Sequence, residues 1–292
     1  MQVRHFATSY AGSILLAGPW ERTVATWDLN SAKCVASFDT VLDPGGRRLA
    51  VSSAGSTCVT AAYTRHGVAG YDTTTGDVVW RRLDLKQTQF VGFAAGDEAV
   101  HCAADTRPCH VLDPKDGRTV DTLRGVRRVW QSPSGTHAVL DRPKLEVVDA
   151  GGRTLAKVAR VTFAVLDVAF GPDTLCVSES GGPVRCFNYA GGELWRIEPR
   201  PDSHVLRLSY ALELGIYSGV LWPYVKGGAK QLVRLEPGMA AATTVCLLGN
   251  ATEAAFVRRG SALVTSGGSM FEVATGRKVR HLALDELPAA GA

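Results

Sequence analysis

Seven histidines and seven cysteines are the side chains of this chain best suited to bind metal or act as nucleophiles. The histidines (His5, His66, His101, His110, His137, His204 and His281) are scattered, with no HExxH or comparable ligand spacing. The densest grouping is His101-Cys102 with Cys109-His110, on either side of a turn at Asp105-Thr106-Arg107. If that segment is a hairpin, the two histidines could face one another, and Cys102 could bridge to Cys109. Cys176 and Cys186 flank Ser180-Gly181-Gly182 in the same way. Each cysteine pair can be read as a cross-strand bridge or as two small apolar residues filling a sheet. No GxGxxG, phosphate loop, GxSxG or calcium loop is present. Most acids fall at turns, where capping explains them, so no acid–base pair stands out. The chain is expected to carry no catalytic residues, no metal and no cofactor.

The elements that must position these residues come from a repeat. An apolar strand runs into an acid, a tight turn follows, and a second apolar strand begins. The clearest copies are Tyr71 to Gly76, Leu112 to Gly117 and Phe271 to Gly276. Aligned on the acid or its substitute, the copies fall at Asp28, Asp72, Asp113, Asp149, Asn188, Glu236 and Glu272, spaced by 36 to 48 residues. Glycines at 76, 117, 152, 192 and 276 are expected to supply the positive φ that closes the turn. Ala32 and Ala240 stand at that place in the first and sixth copies. A second turn signal precedes each acid in most copies, as in Ser53-Ala54-Gly55-Ser56 and Ser132-Pro133-Ser134-Gly135. Each unit therefore reads as four short strands, and no stretch holds a helical period.

Four antiparallel strands cannot bury both faces alone, but sheets stacked radially can. The predicted fold is all-β, a single seven-bladed β-propeller of four-stranded antiparallel blades over residues 1–285. The blades are expected at about 1–40, 41–84, 85–124, 125–160, 161–199, 200–248 and 249–285, with a loose tail at 286–292. The first copy is complete from Gln2, which predicts little strand exchange between the termini.

Some copies match a known pattern. Thr26-Trp27-Asp28-Leu29 with Cys34 to Phe38 resembles a WD repeat, and Trp130 to Gly135 resembles the inner turn of such repeats. Tyr71 to Trp80 and Gly191 to Trp195 are similar to repeats of quinoprotein-like propellers. The chain thus resembles a divergent member of the WD-repeat and quinoprotein-like propeller superfamily. Trp-Asp occurs once, and the usual Gly-His pair is absent. The resemblance implies a platform for macromolecular partners in most cases and an enzyme in some; it does not imply bound quinone.

Within that frame, the loops joining second and third strands share an end with the segments joining blades. They carry Arg22, Arg65, Arg107 and Arg142, with His66 and Lys144 beside them, and the joining segments add Lys86, Arg124 and Arg127. Trp20, Trp222 and Tyr224 lie in matching loops of the first and sixth copies and could form an aromatic patch. Arginine, tryptophan and tyrosine favour protein contacts, and clustered arginine suits carboxylates. The reading is a non-catalytic interaction module, a scaffold or adaptor or an inhibitor or immunity-type protein, whose partner is a protein with an acidic surface. The alternative is a hydrolase- or lactonase-like enzyme using a central channel. Nucleic acid is disfavoured by a net charge of only +4 and by acids at 39, 43, 84 and 141. No span or export signal is visible in the text, so a cytoplasmic protein with reduced thiols and no membrane partner is expected.

Overall fold

The computed structural model describes residues 3, 5–9, 14–18, 23–40, 48–62, 67–104, 108–161, 164–198, 202–225 and 228–284. The expected tail at 286–292 lies outside them. The described strands form seven four-stranded antiparallel sheets, each built from consecutive strands in meander order. These are the blades of an all-β, seven-bladed propeller. Among the described residues, no strand is exchanged between the first and last sheets. The only helical turns among the described residues are two 3-10 turns, Ala95–Asp97 and Arg258–Gly260.

The contacts gather into two compact units. The first comprises residues 1–129 with 266–268 and 281–292, and the second 130–265 with 269–280. In the first unit, blade 1 holds β1 (His5–Thr8), β2 (Ile14–Gly18), β3 (Thr23–Asp28) and β4 (Lys33–Asp39). Blade 2 holds β5 (Arg48–Val51), β6 (Thr57–Ala61), β7 (Val68–Asp72) and β8 (Val78–Arg82). Blade 3 holds β9 (Phe90–Phe93), β10 (Val100–Ala103), β11 (Cys109–Leu112) and β12 (Thr119–Leu123).

The second unit takes nearly all of the other four blades. Blade 4 holds β13 (Val129–Gln131), β14 (His137–Asp141), β15 (Leu145–Asp149) and β16 (Thr154–Val158). Blade 5 holds β17 (Val165–Phe170), β18 (Thr174–Glu179), β19 (Val184–Asn188) and β20 (Glu193–Ile197). Blade 6 holds β21 (Ser203–Ala211), β22 (Ile216–Pro223), β23 (Gln231–Leu235) and β24 (Thr243–Leu247). Blade 7 holds β25 (Ala254–Val257), β26 (Ala262–Thr265), β27 (Ser269–Glu272) and β28 (Lys278–His281).

Strand composition follows position. Second strands such as Thr57–Ala61 and Val100–Ala103 are buried nearly throughout, on both faces. Fourth strands such as Val78–Arg82 and Thr119–Leu123 are largely exposed. Core clusters fill the gaps between successive blades of each unit. In the first, Leu16, Val24, Phe38, Val51 and Tyr71 join blades 1 and 2. Val59, Trp80, Val91 and Leu112 join blades 2 and 3. In the second, equivalent clusters join blades 4 to 5, 5 to 6 and 6 to 7.

The repeated acids close turns as Asx-type acceptors. Asp72 Oδ1 accepts from the amides of Thr74 at 2.7 Å and Thr75 at 3.0 Å. Gly76 follows at φ +77°. The fifth copy departs from expectation: Gly191, not Gly192, takes positive φ, at +85°. Its amide closes on Asn188 O at 2.9 Å, so the turn is one residue shorter than aligned. In the first copy Ala32 is held at φ +60°, a conformation glycine adopts without a Cβ clash.

Trp80 ties blade 2 to blade 3. Its side chain lies between Gly70 of β7 and Gly117 of the next blade's turn, where an added Cβ would come within 2.5 and 2.6 Å of the indole. Its Nε1 donates to Pro114 O at 2.8 Å.

Candidate interaction face

In an up-and-down sheet, the loop between the second and third strands leaves from the same end as the segment leading to the next blade. The two units are taken in turn. In the first, Trp20, Arg22, Arg65, His66 and Arg107 lie outside the described residues. The joining segments are described. Lys86, Arg124 and Arg127 are exposed there, and their side chains make no ion pair with any described residue. Arg82 differs: it holds Asp84 at 2.7 Å and keeps that carboxyl down at about 2.

In the second unit the basic residues are mostly committed internally. Arg142 Nη1 sits 2.9 Å from Glu146, which Lys157 also reaches at 3.1 Å. Arg160 pairs with Asp141 at 2.6 Å and donates to the carbonyl of Arg142. Arg185 pairs with Glu179 at 2.5 Å, with side chains 6% and 0% exposed, and donates to Ala159 O at 2.8 Å. Glu179 also accepts from the Val161 amide at 2.8 Å. This network pins the segment between blades 4 and 5. Sequence reading placed Asp141 at this end without a partner and missed Arg160, Arg185 and Glu179, although both acids end second strands, which was a usable signal. Lys144 remains exposed beside Arg142.

The two candidate aromatic residues of this unit differ in burial. Trp222 is half-buried against the core between blades 6 and 7, with the Lys230 ammonium 4.0 Å over its ring. Tyr224 is 51% exposed, edge-on to His204 at 4.8 Å. Val225 beside it is 64% exposed.

No protein-family profile matches the chain, and no curated protein sequence does. Among solved structures, the β-propeller domain of Cps50 (Swd1) from Myceliophteria thermophila is similar, with a TM-score of 0.70, 12% identity and 94% of each chain covered. The fold is that of a WD-repeat-like β-propeller. At this identity the likeness speaks for the fold alone.

In the second unit, Asp167 of β17 is pushed up by burial, against the pull of Arg207 and three N–H donors. Its carboxylate accepts from Trp130 Nε1 at 3.2 Å, Val168 N at 2.9 Å and Leu208 N at 2.8 Å. Arg207, at φ +53° beside a bulge in β21, forks onto Glu253 at 3.2 and 3.0 Å. Both Asp167 oxygens are thus occupied, and the group ties together the first strands of blades 4, 5 and 6. In the first unit a cleft of about 360 Å³ is lined by Ser52, Ser56, Val79, Phe93, Asp97 and Lys115. Asp97 spends both oxygens on Ser53, at 2.6 to 2.8 Å.

The proposed facing of His101 and His110 is corrected by register. Cys102 pairs with His110 and His101 with Val111, so the two histidines project to opposite faces of blade 3. No group of three His, Cys, Asp or Glu converges on a metal position among the described residues. No helix among them is long and apolar enough to cross a membrane.

His101 has a consequence for pH. It is 7% exposed, and burial lowers its pKa from 6.5 to about 4. The unfolded chain therefore binds a proton there that the folded chain refuses. Its contribution to stability is full above pH 6.5 and is lost as pH falls toward 4, by about 3 kcal/mol at 1.4 kcal/mol per pKa unit. Urea melts of wild type from pH 7 to 4.5 should show this loss, and His101→Leu should flatten it. Equal slopes would reject the assignment. Asp84, already low at about 2, acts only in more acid solution.

Proposed function

We propose that the propeller is a non-catalytic interaction module that presents its loop end to a protein partner with an acidic surface. WD-type propellers commonly mediate protein interactions, which is the coarse part of this reading. The observation that supports the finer part is the contrast in cation pairing. Arg142, Arg160 and Arg185 are consumed by internal acids. Lys86, Arg124 and Arg127, on the joining segments of the first unit, are solvated and unpaired among the described residues. Unpaired cations cost little to hand to a partner carboxylate, and arginine does so bidentately. In the same unit, the sequence assigns Trp20, Arg22, Arg65, His66 and Arg107 to this end. In the second, Lys144 and Tyr224 are its accessible contacts, while Arg142 and Trp222 support them from within.

A cytoplasmic setting and a scaffold, adaptor or inhibitor role belong to this proposal. The catalytic alternative gains nothing from Asp167, whose oxygens are filled by backbone and indole N–H groups. The test is charge reversal. Lys86→Glu, Arg124→Glu and Arg127→Glu together should cut partner capture at least tenfold at low salt, with the circular dichroism spectrum unchanged. Lys115→Glu with Arg118→Glu, both on a turn between third and fourth strands, should leave capture intact. Undiminished capture by the triple variant would reject the proposal.

A further inference from the structure

We propose that Cys176 and Cys186 form a reversible dithiol–disulfide pair that closes within blade 5 on two-electron oxidation by a small-molecule disulfide. The register distinguishes the two cysteine pairs that the sequence left alike. Cys176 of β18 lies directly opposite Cys186 of β19. Cys102, by contrast, lies opposite His110, so Cys109, the next residue, projects to the other face of its sheet. Cys34, Cys58 and Cys246 face Trp27, Tyr71 and Leu232 across their strands. All seven thiols are free.

Directly opposed residues hold their Cβ atoms about 4.5–5.5 Å apart, and a disulfide needs about 3.5–4.5 Å. Closure therefore asks the strands to draw together by about 1 Å. The Cys176 side chain acts on the Cys186 thiol more strongly than any other group, and the Thr174 hydroxyl acts on it in the same direction. Together they pull the Cys186 thiol down, whereas burial pushes Cys176 well up. Cys186 is thus the attacking thiol and Cys176 the resolving one.

With glutathione disulfide as oxidant, the Cys186 thiolate attacks one sulfur and the glutathione S–S bond breaks. One glutathione thiolate leaves and takes up the proton that Cys186 released. The Cys176 thiol then loses its proton and attacks Cys186 Sγ, expelling the second glutathione, which receives that proton. Two protein thiols become one disulfide, and one glutathione disulfide becomes two glutathiones. Both sulfurs are no more than 1% exposed, so the reaction waits on local opening of the blade.

The sequence makes the product easy to read. Arg185 precedes Cys186, so trypsin places the two cysteines on separate peptides, 161–185 and 186–196. The full chain should be equilibrated in glutathione buffers of rising oxidised fraction, acid-quenched, alkylated and digested. A linked 161–185/186–196 pair should appear, grow with the oxidised fraction and vanish on reduction with dithiothreitol. Cys102 and Cys109 should stay alkylated. Cys176→Ser should abolish the link and leave a glutathione adduct on Cys186. The same buffers in sub-denaturing urea remove slow access as a reason for failure. Full alkylation of Cys176 and Cys186 in both conditions, or separate glutathione adducts on them in the wild type, would overturn the proposal.

Discussion

Replacing Trp80 with alanine is expected to lower the stability of the first unit by about 3–5 kcal/mol, the range for removing a buried aromatic side chain. The ring is 6% exposed and belongs to the cluster that joins blades 2 and 3. Gly70 and Gly117 are side-chain-free where the indole lies on them, so neither offers a side chain to fill the cavity that its loss opens. The hydrogen bond to Pro114 O is also lost. Trp80→Phe keeps most of the packing and forfeits that bond, at about 1 kcal/mol. Urea unfolding followed by circular dichroism separates the two. A loss below about 1 kcal/mol for the alanine variant would show that the blades do not depend on this ring.

The second large effect is expected at Glu179. Its side chain is fully buried, and it is the acid that Arg185 meets at 2.5 Å. Glu179→Ala leaves a guanidinium at 6% exposure without its main acid, and the Arg185 Nε already has no partner. Breaking a buried pair from one side costs about 3–5 kcal/mol, because the surviving charge stays desolvated. The Val161 amide loses its acceptor too, which loosens the segment between blades 4 and 5. Converting both partners, Glu179→Met with Arg185→Leu, should cost clearly less than the single change. A double variant worse than the single one would mean that the pair contributes net stability rather than mutual satisfaction.

These two sites show what was legible in the text and what was not. The strand–acid–turn–glycine unit is local, so Asp72 to Gly76 could be read directly, and with it the number of blades. Trp80 stood out as part of a repeat, but its contact with Gly117 crosses a blade boundary. The arginines were harder. Arg142 looked like a free loop cation because the reading aligned loops, whereas its partner Glu146 stands on the following strand. Arg160 and Arg185 depend on where a joining segment runs, which no local pattern encodes. Register decided the rest. A shift of one residue sends His101 and His110 to opposite faces, and the same rule sets Cys176 against Cys186. In the fifth copy, the hydrogen bond from Gly191 to Asn188 moved the positive φ by one residue.

The end of the sheets that carries the joining segments is the one expected to meet a partner. Hydrogen exchange of the full chain, alone and bound to its captured partner, measures this directly. Protection on binding is predicted for amides of residues 83–89 and 124–128, with those of 113–118 on the turn of blade 3 unchanged. Protection confined to 113–118, or to the cleft around Ser56 and Asp97, would contradict the claim.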